Sequence, residues 1–166
     1  MIGQVVALTD PGVFDHVVLA DTGHTQTPET RKQWEERINT AQTRGMQPLV
    51  QPTLERWFTK AFIDQPVVKT IGKLIASTPV PGYVGSCHAI SNLNTTARLK
   101  EIKQPVLAIA GEQDAAAPGT RYIGENVPGA KLVMIPQAAH IANIEQADAF
   151  NRALAEFLSS PASGRA

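Results

Sequence analysis

Three short apolar runs dominate the pattern of hydrophobic and polar positions along the chain. The longest occupies residues 105–110, and the other two occupy residues 16–20 and 131–135. Each run ends at a turn-forming residue rather than passing into a long periodic segment. An apolar run without alternation is typical of a strand buried on both faces of a parallel sheet. The pattern therefore predicts three parallel strands.

Two segments near these strands have the apolar spacing of helices. Residues 120–127, between the second and third runs, are expected to form a helix that stops at the Pro128-Gly129 pair. Residues 145–158 carry one apolar stripe on an otherwise polar surface. Its members are Ala149, Phe150, Ala153, Leu154 and Phe157. Alternating strands and helices predict an α/β fold, a doubly wound sheet with flanking helices.

The segment between the first two predicted strands has a different pattern, because it contains no clear strand and many prolines. We expect it to be helical and to form a cap, since helical insertions in parallel sheets commonly cover the strand ends where ligands bind. The helical stretches are 29–44, 53–62 and 67–76. The predicted division is a core of residues 1–23 and 96–158, a cap of residues 24–95, and a flexible tail of residues 159–166.

Composition narrows the class of protein. The 166 residues are 43% hydrophobic and 18% charged, and 15 basic residues balance 15 acidic ones, so neither nucleic acid nor a membrane surface is an expected partner. The single cysteine excludes an internal disulfide and a cysteine-based zinc cluster. No apolar run approaches the ~20 residues that span a bilayer. We expect a cytoplasmic globular protein.

An acid and a histidine follow two neighbouring predicted strands. Asp114 lies just after residues 105–110, and His140 lies just after residues 131–135. The carboxyl ends of parallel strands meet at one edge of a sheet, so these side chains are expected to meet there. A carboxylate bound to Nδ1–H fixes the imidazole tautomer and gives Nε2 the role of general base.

The motifs around these two residues resemble those of a known family. Gly-Glu-Gln-Asp114 and Ala-Ala-His140-Ile-Ala-Asn-Ile-Glu are similar to the acid and base segments of α/β-hydrolases, in particular the branch of 3-oxoadipate enol-lactonases. Arg56-Trp57-Phe-Thr, Gly82-Tyr-Val-Gly-Ser-Cys-His and the opening Met-Ile-Gly-Gln also match. The resemblance covers nearly the whole chain but only the carboxyl-terminal part of the family.

The resemblance implies hydrolysis of a carboxylic ester or lactone by a serine nucleophile. The family carries that serine in a Gly-x-Ser-x-Gly turn just before the opening Met-Ile-Gly-Gln. No such motif occurs in the 166 residues, so we expect the nucleophile to be missing from this chain. Ser86 is a candidate substitute, although residues 85–88 are expected to be extended. Direct activation of water by His140 is a slower alternative.

Several other residues could have either a functional or a structural role. Arg56, Trp57 and Cys87 are candidates for the substrate pocket, with Arg56 placed to meet a substrate carboxylate or to form a salt bridge inside the cap. Cys87 can equally be a small buried residue. Asp21 is a possible position for the triad acid or a turn former. The histidines lack metal-ligand spacing, and no phosphate-binding loop is present, so no metal or cofactor is expected.

The missing segment would leave the strand at residues 16–20 with an open edge. We therefore expect a homodimer, or association with the amino-terminal segment in trans, in addition to a small ester or lactone as substrate. The competing hypothesis is a truncated, catalytically silent chain that self-associates or binds small acyl ligands. A scaffold without any catalytic site is a third possibility.

Overall fold

The computed structural model describes residues 1–159 and divides the chain into two compact units. Met1–Thr25 and the chain from Asn94 onward form the first unit, and Gln26–Leu93 form the second. The predicted flexible tail, apart from its first residue, lies outside the described residues. Within residues 1–159, no helix combines the length and apolar character that a membrane crossing requires.

In the described residues the first unit contains three strands, four α-helices and one 3-10 helix, and the second unit contains four α-helices. Their order along the chain is α1 (Ile2–Thr9), β1 (Val17–Ala20), α2 (Pro28–Arg44), α3 (Gln47–Trp57), α4 (Pro66–Ala76), α5 (Val80–Ser91), a 3-10 helix (Thr96–Glu101), β2 (Val106–Gly111), α6 (Ala117–Asn126), β3 (Lys131–Ile135), α7 (Ala142–Glu145) and α8 (Ala147–Leu158).

The three predicted strands form one parallel sheet in the order β1-β2-β3. All six residues of the central strand β2 are buried, as expected for a strand covered on both faces. Val17 pairs with Val106, and Leu107 pairs with Lys131, so all three strands end at the same edge. The predicted α/β class is confirmed.

Apolar residues cover both faces of this sheet. One cluster joins α1, the 3-10 helix and α6 to the sheet, and a second joins α7 and α8 to the opposite face. Leu99, Ile102 and Ile123 are the largest buried residues of the first cluster, while Phe150 and Phe157 of α8 anchor the second. The first unit is therefore a three-layer arrangement of helices, sheet and helices.

Two helix boundaries differ from the prediction. The helix after β2 begins at Ala117 rather than at residue 120, because Pro118 is tolerated in a first helical turn. The final helix does not run unbroken through residues 145–158. It is divided at Gln146, whose backbone (φ −131°, ψ 55°) is not helical, into α7 and α8.

The second unit is helical, as expected, and α2 and α4 lie within one residue of the predicted stretches 29–44 and 67–76, but the remaining stretch is placed differently. The helix predicted at residues 53–62 is instead α3, which begins at Gln47 and ends at Trp57, and it contains Pro52. Residues 80–91 form α5, so the prediction of an extended segment at 85–88 is wrong. α2 packs against α5 and α3, and α3 packs against α4.

The chain leaves the first unit and returns to it through adjacent residues. Thr25 and Asn94 form an isolated antiparallel bridge. Next to it, the Thr95 N–H donates a hydrogen bond to the His24 carbonyl oxygen at 2.8 Å. The Gln4 side chain, fully buried, links this region to α1 by bonding the Gly23 carbonyl and the Thr95 hydroxyl.

Candidate acid–base site

The two predicted chemical residues meet at the carboxyl edge of the sheet. Asp114 lies in the turn after β2, and His140 lies in the loop after β3. His140 Nδ1 and Asp114 Oδ2 are 3.0 Å apart. A carboxylate only accepts hydrogen bonds, so the geometry assigns the Nδ1 proton to His140, which donates it to Asp114. In this tautomer Nε2 carries no proton and is able to accept one.

The two side chains differ strongly in their exposure to solvent. The Asp114 side chain is 1% exposed, whereas the His140 side chain is 28% exposed. The acid is thus held inside the protein while the imidazole reaches the surface. An open groove of about 400 Å³ adjoins the pair on its Asp114 side, with Arg121 and Tyr122 of α6 in its wall.

Backbone hydrogen bonds fix the two loops to each other. The Glu112 N–H donates to the Ile135 carbonyl and the Gln113 N–H donates to the Ala138 carbonyl, both at 2.9 Å. The Asp114 N–H closes the turn by donating to the Gly111 carbonyl at 3.1 Å. The loop after β2 is therefore positioned by the loop that carries the histidine.

Gly111, at the end of β2, is required by the close approach of the histidine loop. A Cβ atom at this position would lie 2.2 Å from the Ala139 carbonyl oxygen and 2.4 Å from that of Ala138. Both contacts are far shorter than van der Waals distance, and both partners are backbone atoms that have no rotamer to change. Only glycine permits this packing.

Glu145 is a residue of the site to which the sequence analysis gave no role. It lies in α7, is 7% exposed, and accepts a 2.8 Å hydrogen bond from the Ala139 N–H through Oε2. It thereby holds the residue that immediately precedes His140. A glutamate five positions after the histidine, among apolar residues, is a signal for such an inward-facing carboxylate.

Asp21 lies at the same edge of the sheet, after β1. Its Oδ1 accepts a 2.9 Å hydrogen bond from the Gly111 N–H, and its backbone is in the left-handed region with φ 46°. Burial, chiefly, raises the pKa of Asp21 to about 7, with a further increase from the Asp114 charge. The Gly111 hydrogen bond and the His140 charge act in the opposite direction.

The other predicted site residues belong to the second unit. The exposed Ser86 hydroxyl donates to the Gly82 carbonyl within α5 at 3.0 Å, a common arrangement for a helical serine. Cys87 is buried at 1% exposure. Burial raises the pKa of its thiol, against the lowering influence of Tyr83 and of the nearby Arg37 and Arg56 charges. A thiol in this state is a weak nucleophile.

Arg56 takes part in a cationic cluster on Trp34. The guanidinium carbons of Arg37 and Arg56 lie 5.5 and 5.6 Å from the centroid of the Trp34 ring, within the range of cation–π attraction. The Arg56 charge also acts on Cys87, so these two predicted pocket residues lie in one neighbourhood. Trp57, at the end of α3, is half-buried.

The remaining histidines of the first unit have structural contacts. His16 packs edge-on against Phe157 at 5.3 Å, and His24 stacks on Tyr122 at 4.1 Å between ring centroids. The His24 Nδ1 also bonds the Thr96 hydroxyl at 2.7 Å. Among the described residues no group of three or more His, Cys, Asp or Glu side chains has the arrangement of a metal site.

A parallel β1-β2-β3 sheet between two helical layers, with an acid after one strand and a histidine after the next, defines the carboxyl-terminal part of an α/β-hydrolase. The chain belongs to the α/β-hydrolase family. Among curated proteins it is 33% identical over 157 residues to 3-oxoadipate enol-lactonase 2 of Acinetobacter baylyi, a match that covers 92% of the chain and 57% of the lactonase. No family model matches the sequence.

Two solved structures of similar sequence have the same fold. A hydrolase from Pseudomonas aeruginosa PA01 superposes with a TM-score of 0.90 at 32% identity, and the enol-lactonase from Burkholderia xenovorans LB400 with a TM-score of 0.88 at 32% identity. The matches cover 96% and 95% of this chain. The chain spans 61% of each of these structures, and thus somewhat more than half the length of the relatives it matches.

Proposed function

We propose that the chain carries the acid–base pair of a carboxylic-ester or lactone hydrolase that resembles the 3-oxoadipate enol-lactonases. The observation that supports this proposal is the 3.0 Å contact between His140 Nδ1 and the buried Asp114 carboxylate at the carboxyl edge of the sheet. The names of the lactonase relatives supply the substrate class.

In the proposed mechanism His140 acts first as a general base and then as a general acid. Nε2 takes the proton of a serine hydroxyl as its oxygen attacks the substrate carbonyl, and then returns the proton to the leaving oxygen. Asp114 orients the ring and stabilises the imidazolium that forms. Water, activated by the same nitrogen, then hydrolyses the acyl-serine.

We propose that the serine comes from the amino-terminal segment of the family fold, outside the 166 residues, rather than from Ser86. The hydroxyl of Ser86 is engaged with its own helix, which argues against an activated state. Labelling with a fluorophosphonate probe, followed by intact-mass spectrometry and site mapping, distinguishes the two sources. An adduct on Ser86 that disappears in His140→Ala would overturn the choice of an external serine, whereas a folded chain without adduct supports it.

The hydrolase proposal is tested in a chimera that joins the amino-terminal part of the Acinetobacter baylyi relative to Met1 of this chain. We expect hydrolysis of an enol-lactone or a nitrophenyl ester, with losses of roughly 10³-fold or more in His140→Ala and Asp114→Ala. His88→Ala, at an exposed position on α5, is the matched control and should retain activity. A folded chimera without turnover, or one in which His140→Ala matches this control, would refute the proposal and favour a non-catalytic acyl-binding chain.

We propose that the substrate carries a carboxylate and that Arg56 binds it. The support is the concentration of positive charge around Trp34, where Arg37 and Arg56 both lie. In the chimera, Arg56→Gln should raise KM for an acidic lactone by about tenfold while leaving KM for a neutral ester unchanged, since one charged contact is lost. Arg44→Gln, at an exposed site on α2, is the control. Equal effects on both substrates would contradict this role.

We propose that the chain also associates, with a second copy or with the amino-terminal segment in trans. Two observations support this: strand β1 is at the edge of the sheet, and Ile2, Val13 and Phe14 are 82%, 56% and 38% exposed. Light scattering coupled to gel filtration at micromolar concentration should give a dimer for the isolated chain. A monomer that gains no mass with the segment added would refute the association. The expected cytoplasmic location stays a prediction.

A further inference from the structure

Asp21 occupies an unusual position for a residue that only forms a turn. It follows β1, and its N–H donates a 2.8 Å hydrogen bond to the Ile109 carbonyl, which continues the pairing of β1 with β2. Its φ of 46° is uncommon for a residue other than glycine, although aspartate tolerates it better than most. This conformation turns the carboxyl group toward β2, where Oδ1 receives the Gly111 N–H.

Gly111 connects this carboxyl group to both members of the acid–base pair. On one side its N–H is held by Asp21, and its carbonyl accepts the Asp114 N–H. On the other side the carbonyls of Ala138 and Ala139, just before His140, pack directly on its Cα. A displacement of Gly111 would therefore move the turn of Asp114 and the loop of His140 together.

Asp21 is coupled to the same pair through charge. The charges that act on it come from Asp114, after β2, and from His140, after β3, with opposite effects. Because Asp21 is partly buried, solvent screens the charges of Asp114 and His140 less strongly, and these charges act on the Asp21 carboxyl group without direct contact. The pKa of Asp21 lies near 7, which places its titration in the range where imidazoles work.

We propose that Asp21 is a positioning residue of the acid–base pair, which holds Gly111 through its carboxyl oxygen and, once ionised, adds a second negative charge to the surroundings of His140. The inference rests on the proposed function, because that function gives Asp114 and His140 their catalytic roles. It differs from a transfer of the acid role to Asp21, since Asp114 keeps its direct bond to the imidazole.

The experiment is an NMR titration of the full chain labelled with ¹³C at aspartate carboxyl groups and ¹⁵N at backbone amides. We expect the Asp21 carboxyl carbon and the Gly111 amide to titrate with one shared midpoint near pH 7. Asp114→Asn should lower that midpoint and His140→Gln should raise it, each by roughly half a pH unit or more, because each removes one opposing charge.

Two further variants separate position from charge. Asp21→Asn keeps an oxygen that can accept the Gly111 N–H, so the exchange rate of this amide with solvent should stay within a factor of about three. Asp21→Ala removes the acceptor and should speed that exchange roughly tenfold. His88→Gln, in the second unit, is the control for the histidine variant and should leave the Asp21 midpoint unchanged.

A Gly111 amide that exchanges at the parent rate in a folded Asp21→Ala protein would overturn the proposal. So would a midpoint that neither Asp114→Asn nor His140→Gln moves in a folded protein. None of these signals requires turnover, so a folded chimera without hydrolase activity would refute the proposed function while leaving the coupling of Asp21 to the pair measurable in the chain.

Discussion

Replacement of Gly111 by alanine tests how closely the two loops of the candidate site are packed. The added Cβ would lie 2.2 and 2.4 Å from two backbone oxygens, about 1 Å closer than an ordinary contact. Neither oxygen can move without shifting the histidine loop, which Glu145 holds through the Ala139 N–H. Overpacking of this kind costs roughly 2–4 kcal/mol of unfolding free energy.

Urea denaturation followed by far-ultraviolet circular dichroism measures this cost. Gly3→Ala in α1 is the matched control, because a Cβ there would meet Val17 and Leu19 at an ordinary 3.7 Å and alanine favours a helix. We expect the control to be neutral or slightly more stable than the parent. If Gly111→Ala falls within about 0.5 kcal/mol of the control, the argument that the loops pack rigidly on Gly111 is wrong.

Three further predictions concern the same unit. The folded protein keeps the Asp21 proton up to about pH 7, whereas the unfolded chain does not. The unfolding free energy should therefore fall by about 2 kcal/mol between about pH 4 and pH 7, after a discount for the partial exposure of Asp21. Asp21→Asn should remove this fall, as measured by urea titrations at several pH values. Glu145→Ala should cost about 1–3 kcal/mol by leaving a buried amide without its acceptor, and Glu145→Gln less than half of that, as measured by the same unfolding curves. Thr120→Val should cost about 2–4 kcal/mol, because the Thr120 hydroxyl both accepts the Thr22 N–H and donates to the Thr22 carbonyl; a thermal midpoint equal to that of the parent would contradict this.

The parts of the fold that the sequence predicts well are those where one physical signal is strong. The run at 105–110 is apolar enough to require burial on both faces, and the observed strand differs by one residue at each end. Parallel strands then force Asp114 and His140 to one edge of the sheet, so their meeting follows from strand order alone. The contact between them needed no long-range information beyond the topology.

The parts that escaped prediction depend on context that the pattern does not contain. Residues 80–91 hold glycine, serine and proline, yet they form α5 because α2 packs along them. Pro52 lies within α3, where it is exposed and packing of Leu49 and Leu54 maintains the helix. The break at Gln146 allows Glu145 to face inward, and no periodicity marks that change of direction.

The bridge between Thr25 and Asn94 has a consequence for protein engineering. Paired residues of an antiparallel bridge lie about 5 Å apart at Cα, so the segment between them leaves and re-enters the first unit at almost one point. Such a segment can be excised and its ends rejoined by two or three glycines without stretching the chain. Residues 26–93 are therefore expected to be exchangeable at this junction, and a chain in which a short glycine linker replaces them should keep the three-stranded sheet and the contact between Asp114 and His140.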